Sequence, residues 1–359
     1  VDRLFGTRLD PPVYIAERGE ITMTYRESQS DAQLDLSSSG RGLQQTLLLL
    51  AYLYSHPGAA LLLDEPDAHL EILRQSQTYQ VLTDIAEEQG SQIIAASHSE
   101  VILNEAADRD MVISFVGRPH RVDDRGTQTR KALKAIGYEQ YYLAEQTGWV
   151  IYLEGSTDLA ILRAFAETLN HPSRERLERP FAHYVENQPQ RARDHFYGLR
   201  EALPSLSGMA LFDRLEQDPP QGTALLEATW RRREIENYLC YPEVLLAYAE
   251  RPPYERPPAP LFADHRRKTM EDCIADISAA LVALGKAKPF TDDIKASDEF
   301  LDPLFRRYFE TLGLPNLMQK TDYHVLARLV PRELISPEVV EKLGAIEETA
   351  RKARPVESV

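Results

Sequence analysis

Apolar and polar positions along this chain fall into two successive series of strand-like and helix-like runs. Ile21–Arg26 alternates with the period of two expected of a strand. A Ser/Gly-rich loop, Leu36–Gly42, leads into a helical segment that contains the apolar run Leu47–Leu50. Ala59–Leu63 is continuously apolar and ends at two acids, the pattern of a parallel strand buried between helices. Glu71–Glu88 has helical spacing, and Gln92–Ser97 and Met111–Val116 read as further short strands. Strands alternating with helices predict an α/β fold with a parallel sheet.

The pattern turns polar and mixed around 117–147, with Gly117, Pro119 and the charged run Asp123–Arg125. A second α/β series then begins: a strand at Trp149–Leu153, a helix from about Asp158 to Leu169, and a strand at Met209–Phe212 that ends at Asp213. A richly charged element spans Thr229–Leu239. Prolines crowd Arg251–Pro260, which excludes a helix interior or a central strand there. From about residue 265 the pattern is mostly helical. These boundaries predict a first domain over 1–120, a connector over 121–147 and a second domain over 148–359.

Composition narrows the class. At 359 residues, 43% hydrophobic and 27% charged, the chain can bury real cores, and wholesale disorder is excluded. Its net charge of −15 repels a phosphate backbone, so nucleic-acid contact has to come from local basic patches or bound cations. Cys240 and Cys273 are too few for a disulfide framework and are not spaced as a zinc site, a usage expected of the cytoplasm. Leu47–Tyr54, the longest apolar stretch, is too short to span a bilayer, and no signal peptide stands out, so no membrane partner is expected. The chain opens at Val1 in sequence of mid-domain character, and a C-terminal fragment of a longer protein is expected.

Two constellations carry chemistry. In the first, Leu61–Glu71 delivers Asp64 and Glu65 to the carboxyl end of a parallel strand, where α/β folds bind ligands. Asp64 suits the water shell of Mg²⁺, and Glu65 suits polarisation of an attacking water. Upstream, Ser39, Gly40 and Gly42 open a helix whose backbone amides favour a phosphate. Downstream, Ser97–His98 ends a strand with an imidazole that can reach a γ-phosphate. In this order the three motifs resemble the C-terminal half of ABC-type ATPases, including the SMC-like group, over about residues 20–116. The resemblance implies that Ser39, Gly40 and Gly42 form the signature closing over a partner subunit's ATP. It also implies that Pro66, Asp67 and Ala68 form a turn at a homodimer seam. No G-x-x-x-x-G-K-[ST] string occurs, so nothing in the chain cradles the β-phosphate. Either an N-terminal ATPase half has been cut away, which is the expectation, or another polypeptide supplies it as a partner, or the site is dead.

In the second, Glu154 follows a predicted strand and Asp158 sits in the first turn of the next helix; an ordinary turn with a capping Asp reads the same way. Asp213, Glu216 and Asp218 follow another strand. Over Trp230–Tyr238 a strand reading puts Glu234 and Glu236 on one face. Several carboxylate groups suit a hard cation, Mg²⁺ or Mn²⁺. This set resembles the TOPRIM (topoisomerase–primase) fold. Joined to an ABC half, and with Arg233–Leu239 and Gln319–Val330, it resembles the OLD (overcoming lysogenization defect) family of ATPase-nucleases. That resemblance implies two divalent ions cleaving DNA, held by Glu154, Asp158, Asp213 and one or both of Glu234 and Glu236, with Glu216 a substitute, one residue further on, for an acid the family has after Asp213. Lys320 would neutralise charge in the transition state, although a lone lysine is also an ordinary surface charge. The family's Asp-x-Asp here reads Asp213-Arg214-Leu215, which puts the second ion in doubt.

Arg191, Arg193 and Arg231–Arg233 either carry a phosphate backbone or pair with neighbouring acids. His69 and His171 have no ligand spacing. The leading expectation is a metal-dependent DNA endonuclease controlled by an ATPase module, with a role in phage defence or DNA repair implied by the family. The alternatives are an ABC-type DNA-binding or sensor ATPase with a non-catalytic platform, and a hydrolase of RNA. Without a phosphate loop, calorimetric titration of this chain with ATP and Mg²⁺ is expected to show no tight binding; strong saturable heats would refute that.

Overall fold

The computed structural model describes residues 1–27, 32–106, 109–115, 119–121, 136–252 and 262–355. Two compact units emerge: Val1–Phe115 with Pro119–Glu139, and Val116–Arg118 with Gln140–Val359. The predicted connector falls mostly on 122–135, and the proline-rich loop on 253–260; both lie outside the described residues.

The first unit opens with helix α1 (Asp2–Phe5) and five short strands, β1 (Thr7–Leu9), β2 (Val13–Ile15), β3 (Glu20–Thr22), β4 (Thr24–Glu27) and β5 (Gln33–Asp35). All their pairings are antiparallel, in the orders β1-β4-β5 and β2-β3. The single strand expected over Ile21–Arg26 is thus two, because β3 pairs with β2 while β4 pairs with β1 and β5. Next come α2 (Arg41–Ser55), β6 (Ala60–Asp64), α3 (Ile72–Glu88), β7 (Gln92–Ala96) and α4 (Glu100–Ala106). Strands β6 and β7 pair in parallel, as their apolar runs predict. The strand expected at Met111–Val116 shrinks to β8 (Ile113–Ser114), which pairs antiparallel with β9 (His120–Arg121) outside that sheet.

Burial on both faces of β6 does not occur. Leu61, Leu63 and Ile93 join Leu50, Leu53, Leu82 and Ile85 in a core with α2 and α3. On the other face Leu62 and Ile94, partners in register, are 77% and 55% exposed. An apolar parallel sheet normally has both faces covered, so this unit presents half of such an arrangement.

The second unit includes α5 (Tyr138–Thr147), apart from its first residues, and then a fully parallel sheet. Its strands are β10 (Trp149–Leu153), β11 (Ala182–Tyr184), β12 (Ser207–Phe212) and β13 (Leu225–Thr229), in the order β11-β10-β12-β13. Helices α6 (Ser156–Leu169), α7 (Ser173–Glu178) and α8 (Pro189–Ala202) connect them. Beyond the sheet lie α9 (Pro242–Glu250), α10 (Ala263–Ala283), α11 (Asp302–Thr311), α12 (His324–Leu329) and α13 (Pro337–Arg351). Helix α13 contacts β10 and β12, α8 contacts β12, and α12 lies against α6. The β10 side chains are all buried, as a continuous apolar run in a parallel sheet requires.

Two sequence expectations fail here for local reasons. Strand β11 escaped notice because its three residues, Ala182–Tyr184, are too few to show a period. The strand reading of Glu234 and Glu236 is wrong: β13 ends at Thr229, and Ile235–Tyr238 is a 3₁₀ turn.

One ion pair is set into the sheet. Arg193 on α8 donates from Nε and Nη2 to both oxygens of the buried Glu227 on β13, at 2.9 and 2.8 Å. Replacing Arg193 with Leu leaves a buried carboxylate unpaired and is expected to cost about 3 kcal/mol in urea unfolding. The double replacement Arg193→Leu with Glu227→Leu should recover most of that; an additive loss would contradict the pairing.

Candidate functional site

In the first unit, parallel pairing brings the predicted groups to one edge. Asp64 ends β6, and the Glu65 amide donates to the carbonyl of Ala96 at the end of β7 (2.8 Å). His98 Nδ1 lies 3.3 Å from Glu65 Oε1, with both side chains largely exposed. Glu65 and His69 hold φ of 46° and 68°, left-handed values that are costly for residues with a Cβ and common at functional turns. Between them the buried Asp67 accepts from Ser97 Oγ at 2.7 Å, tying the turn to the histidine's strand. Gly40 precedes α2 as its N-cap, and the Gln44 side chain donates to the Ser39 carbonyl (3.0 Å). A Cβ on Gly42 would meet Leu70 Cδ2 at 2.8 Å and the His69 carbonyl at 2.9 Å, so the helix sits directly on the turn. The helix after the glycine loop therefore packs on the turn that follows the acids, and Glu65 in that turn stands beside His98.

In the second unit the connection from β10 leads to β11 on one side, and the next strand, β12, lies on the other. The crevice at the carboxyl ends of β10 and β12 is the topological switch point at which open α/β sheets bind ligands. Glu154 follows β10 and Asp213 follows β12. The Asp213 carboxyl shares a hydrogen bond with Glu154, and burial together with the Glu154 charge holds it far above the usual carboxylate range. Asp158, buried in the first turn of α6, accepts from the Glu154 amide at 3.1 Å. It thus caps the turn and also belongs to the cluster: burial, then Glu154, pushes its pKa up to about 6.

Glu236 completes the group. It is 2% exposed, its Oε1 has no hydrogen-bond partner, and Lys320 Nζ stands 3.8 Å away. Burial and the charge of Glu234 push it up to about 8. Lys320, in the 3₁₀ turn Lys320–Asp322, is half-buried rather than a free surface charge. Burial opposes its proton, but Glu236, Glu234 and Glu154 outweigh that and raise its pKa.

Two candidates sit differently. Glu234 is the N-cap of the turn Ile235–Tyr238, joined reciprocally to Asn237, and it accepts from the Ser297 amide; its carboxylate serves as a cap. Glu216 is exposed beyond Arg214, while the charges acting on Asp213 are those of Glu154, Glu236 and Asp158. A strand-end reading could not separate these roles, because Glu234 and Glu236 are set apart only by the 3₁₀ turn.

The sequence reading missed Asn187. With Glu186 it forms a consecutive left-handed pair, φ 50° and 53°, and its Oδ1 accepts from the Asp213 amide at 3.0 Å. An Asn after a short strand was the available signal, since Asn tolerates this conformation. Lys295 also escaped notice. It precedes a π-helical turn, Ala296–Leu301, pairs with Asp298, and adds positive charge near Glu234 and Lys320.

Among the described residues, no three His, Cys, Asp or Glu side chains converge closely enough to enclose one ion. The acids act in pairs. Oxygen donors in pairs still suit Mg²⁺, which keeps several waters and takes one or two carboxylates alongside substrate phosphates. Glu236 Oε1, which has no hydrogen-bond partner, and the hydrogen-bonded Glu154–Asp213 pair are groups that a hard cation would satisfy.

Comparison with known proteins bears on the first unit. Residues 2–104 match the family model described as "AAA domain, putative AbiEii toxin, Type IV TA system". The match supports an ATPase-type domain of the AAA/ABC kind over this segment. No curated protein matches the chain. One solved structure, described as "Structural biochemistry of ATP-driven dimerization and DNA stimulated activation of SMC ATPases", is 19% identical, covering 34% of this chain and 76% of that one. Its TM-score of 0.28 is too low to support an argument. Among the described residues, no helix is long and apolar enough to cross a membrane.

The raised carboxyls fix a pH dependence. Their folded-state values exceed those of the unfolded chain, so their stabilising protonation is complete below the ordinary carboxylate range. It is lost as pH rises through about 6 for Asp158 and about 8 for Glu236. Melting temperature in EDTA is expected to fall from about pH 5 to about pH 8. Glu236→Gln should flatten the upper part, and Mg²⁺ should stabilise most at the alkaline end. A flat profile would contradict the cluster.

Proposed function

We propose that the second unit is a TOPRIM-type, metal-dependent DNA endonuclease and that the ATPase domain controls it. One observation carries this reading: Glu154 and Asp213 are hydrogen-bonded at the switch-point ends of two parallel strands, Asp158 and Glu236 are near enough to raise the Asp213 carboxyl, and Lys320 stands 3.8 Å from Glu236. Mg²⁺ or Mn²⁺ bound there would activate a water and stabilise the leaving oxygen of a phosphodiester. Glu154 and Asp213 hold one side of the crevice, Asp158 fixes the loop between β10 and α6, and Glu236 faces them with Lys320. The ammonium of Lys320 is placed to offset charge gathering on the scissile phosphate. Asn187 positions Asp213 through its backbone amide.

Control by ATP is the second part of the proposal. Asp64 would hold Mg²⁺, Glu65 would act on the attacking water, His98 would meet the γ-phosphate, and Ser39, Gly40 and Gly42 would close over a partner subunit's ATP. A homodimer and a phosphate-loop half, in the same polypeptide or in a separate chain, follow from that assignment. The bare face carrying Leu62 and Ile94 supports the missing half, because it is where further α/β structure would bury apolar surface. The family role in phage defence or DNA repair belongs to the same proposal.

A second reading keeps the ATPase and makes the second unit a non-catalytic DNA-binding or sensor platform. Leu215, where the family pattern has an acid, and the pairwise arrangement of the carboxylates favour it. Supercoiled plasmid incubated with Mg²⁺ or Mn²⁺ separates the two. Nicking is expected from the parent and should fall by at least two orders of magnitude in Glu154→Ala and Asp213→Ala, the size of a lost general acid–base or metal contribution. Glu216→Ala should nick like the parent. No cleavage with either ion, even after addition of a phosphate-loop half, would establish the platform reading instead.

A further inference from the structure

The arginines that the sequence offers to a phosphate backbone are largely neutralised by the fold. Arg191 pairs with Glu186, Arg193 with Glu227, Arg231 with Glu341 and Arg232 with Asp292. Cations without acidic partners gather elsewhere in the second unit, at the amino-terminal ends of β12 and β13. A cleft of about 460 Å³ opens there, with Arg200, Lys352 and Arg354 in its wall and no acid. Ser205 and Ser207 add hydroxyls, and the partly exposed Leu226 gives it an apolar surface.

One cation is held by its side chain and another is placed by its backbone. Arg200 donates from Nε and Nη2 to the Pro204 carbonyl, a neutral acceptor that fixes the guanidinium without discharging it. Lys352 follows the last turn of α13. Gly148, at φ 69°, leads into β10, and a Cβ there would come within 2.6 Å of Pro355 N and 2.8 Å of the Arg354 backbone. The chain after α13 therefore lies directly on the start of the sheet and keeps Arg354 at the rim. Among the described residues, Lys352 and Arg354 enter no ion pair.

We propose that this cleft binds the phosphate of a nucleotide unit. Three undischarged cations in a concave wall focus a positive potential on a chain of net charge −15, and this attracts anions locally. The volume is that of a small-ligand site, and an apolar surface beside the cations suits a base or sugar next to its phosphate. Along β12 the cleft and Asp213 stand about 20 Å apart, so the site is separate from the acids and does not depend on cleavage.

The test is done in EDTA, which silences metal chemistry. Anisotropy titration of a labelled single-stranded oligonucleotide compares the parent with the double variant Lys352→Gln, Arg354→Gln, whose melting temperature should match the parent's. The double variant is expected to bind at least about tenfold more weakly, with a salt slope shallower by about 1.4, two lost phosphate contacts on a single strand. Competition with deoxyadenosine monophosphate and with inorganic phosphate identifies the source. Displacement by the mononucleotide marks a free-nucleotide site, and displacement by unlabelled oligonucleotide alone marks a strand phosphate. Equal affinity and slope in parent and variant, or no binding of either probe by the parent, overturns the proposal. Binding that depends on the cleft without plasmid nicking would sink the nuclease reading alone.

Discussion

Mutual repulsion among carboxyl groups, half-buried at the ends of β10 and β12 and buried at Asp158 and Glu236, sets the charge of the second unit's crevice. Glu154, Asp158, Asp213 and Glu236 are drawn together by the sheet order, and Lys320 is the cation set closest among them. Burial, then the charges of Glu154, Glu236 and Asp158, hold the Asp213 carboxyl above the usual carboxylate range. The scaffold around the crevice consists of a wholly buried β10, helices on the sheet, and loops tied by hydrogen bonds of Asn187 and Ser297. The stability lost to repulsion is what a divalent cation would return.

The first unit has a different unmet demand. The groups proposed for its ATP site lie on strand ends and turns, with Glu65 and His98 in contact and Gly42 wedged against the turn after β6. Its parallel sheet nevertheless has two strands and one covered face, which leaves Leu62 and Ile94 to water. Motif geometry can form in such a half because it depends on strand ends and turns. Burial of the sheet cannot, because that takes a second layer.

Several roles turned on distinctions finer than residue type. Glu234 and Glu236 are two residues apart and chemically alike, yet the first caps a 3₁₀ turn while the second faces Lys320. Arginines beside the acids are mostly consumed in ion pairs, whereas three cations distant in sequence, Arg200, Lys352 and Arg354, share one cleft without an acid. Charge runs along a chain do not reveal this, since pairing is decided by what the fold sets opposite each side chain.

By itself the sequence determined the α/β class, the strand ends bearing Asp64, Glu154 and Asp213, and the ATPase character of the first segment, since these rest on local apolar runs that stop at acids. It did not reveal β11, the left-handed Glu186–Asn187 pair or the approach of Lys320 to Glu236, which join residues remote in sequence or too few to show a period. Tertiary structure decided which carboxylates are buried together and which are capped, paired or exposed. The physical reason is that burial and distance set a carboxylate's charge and partners, and both are properties of the packed sheet.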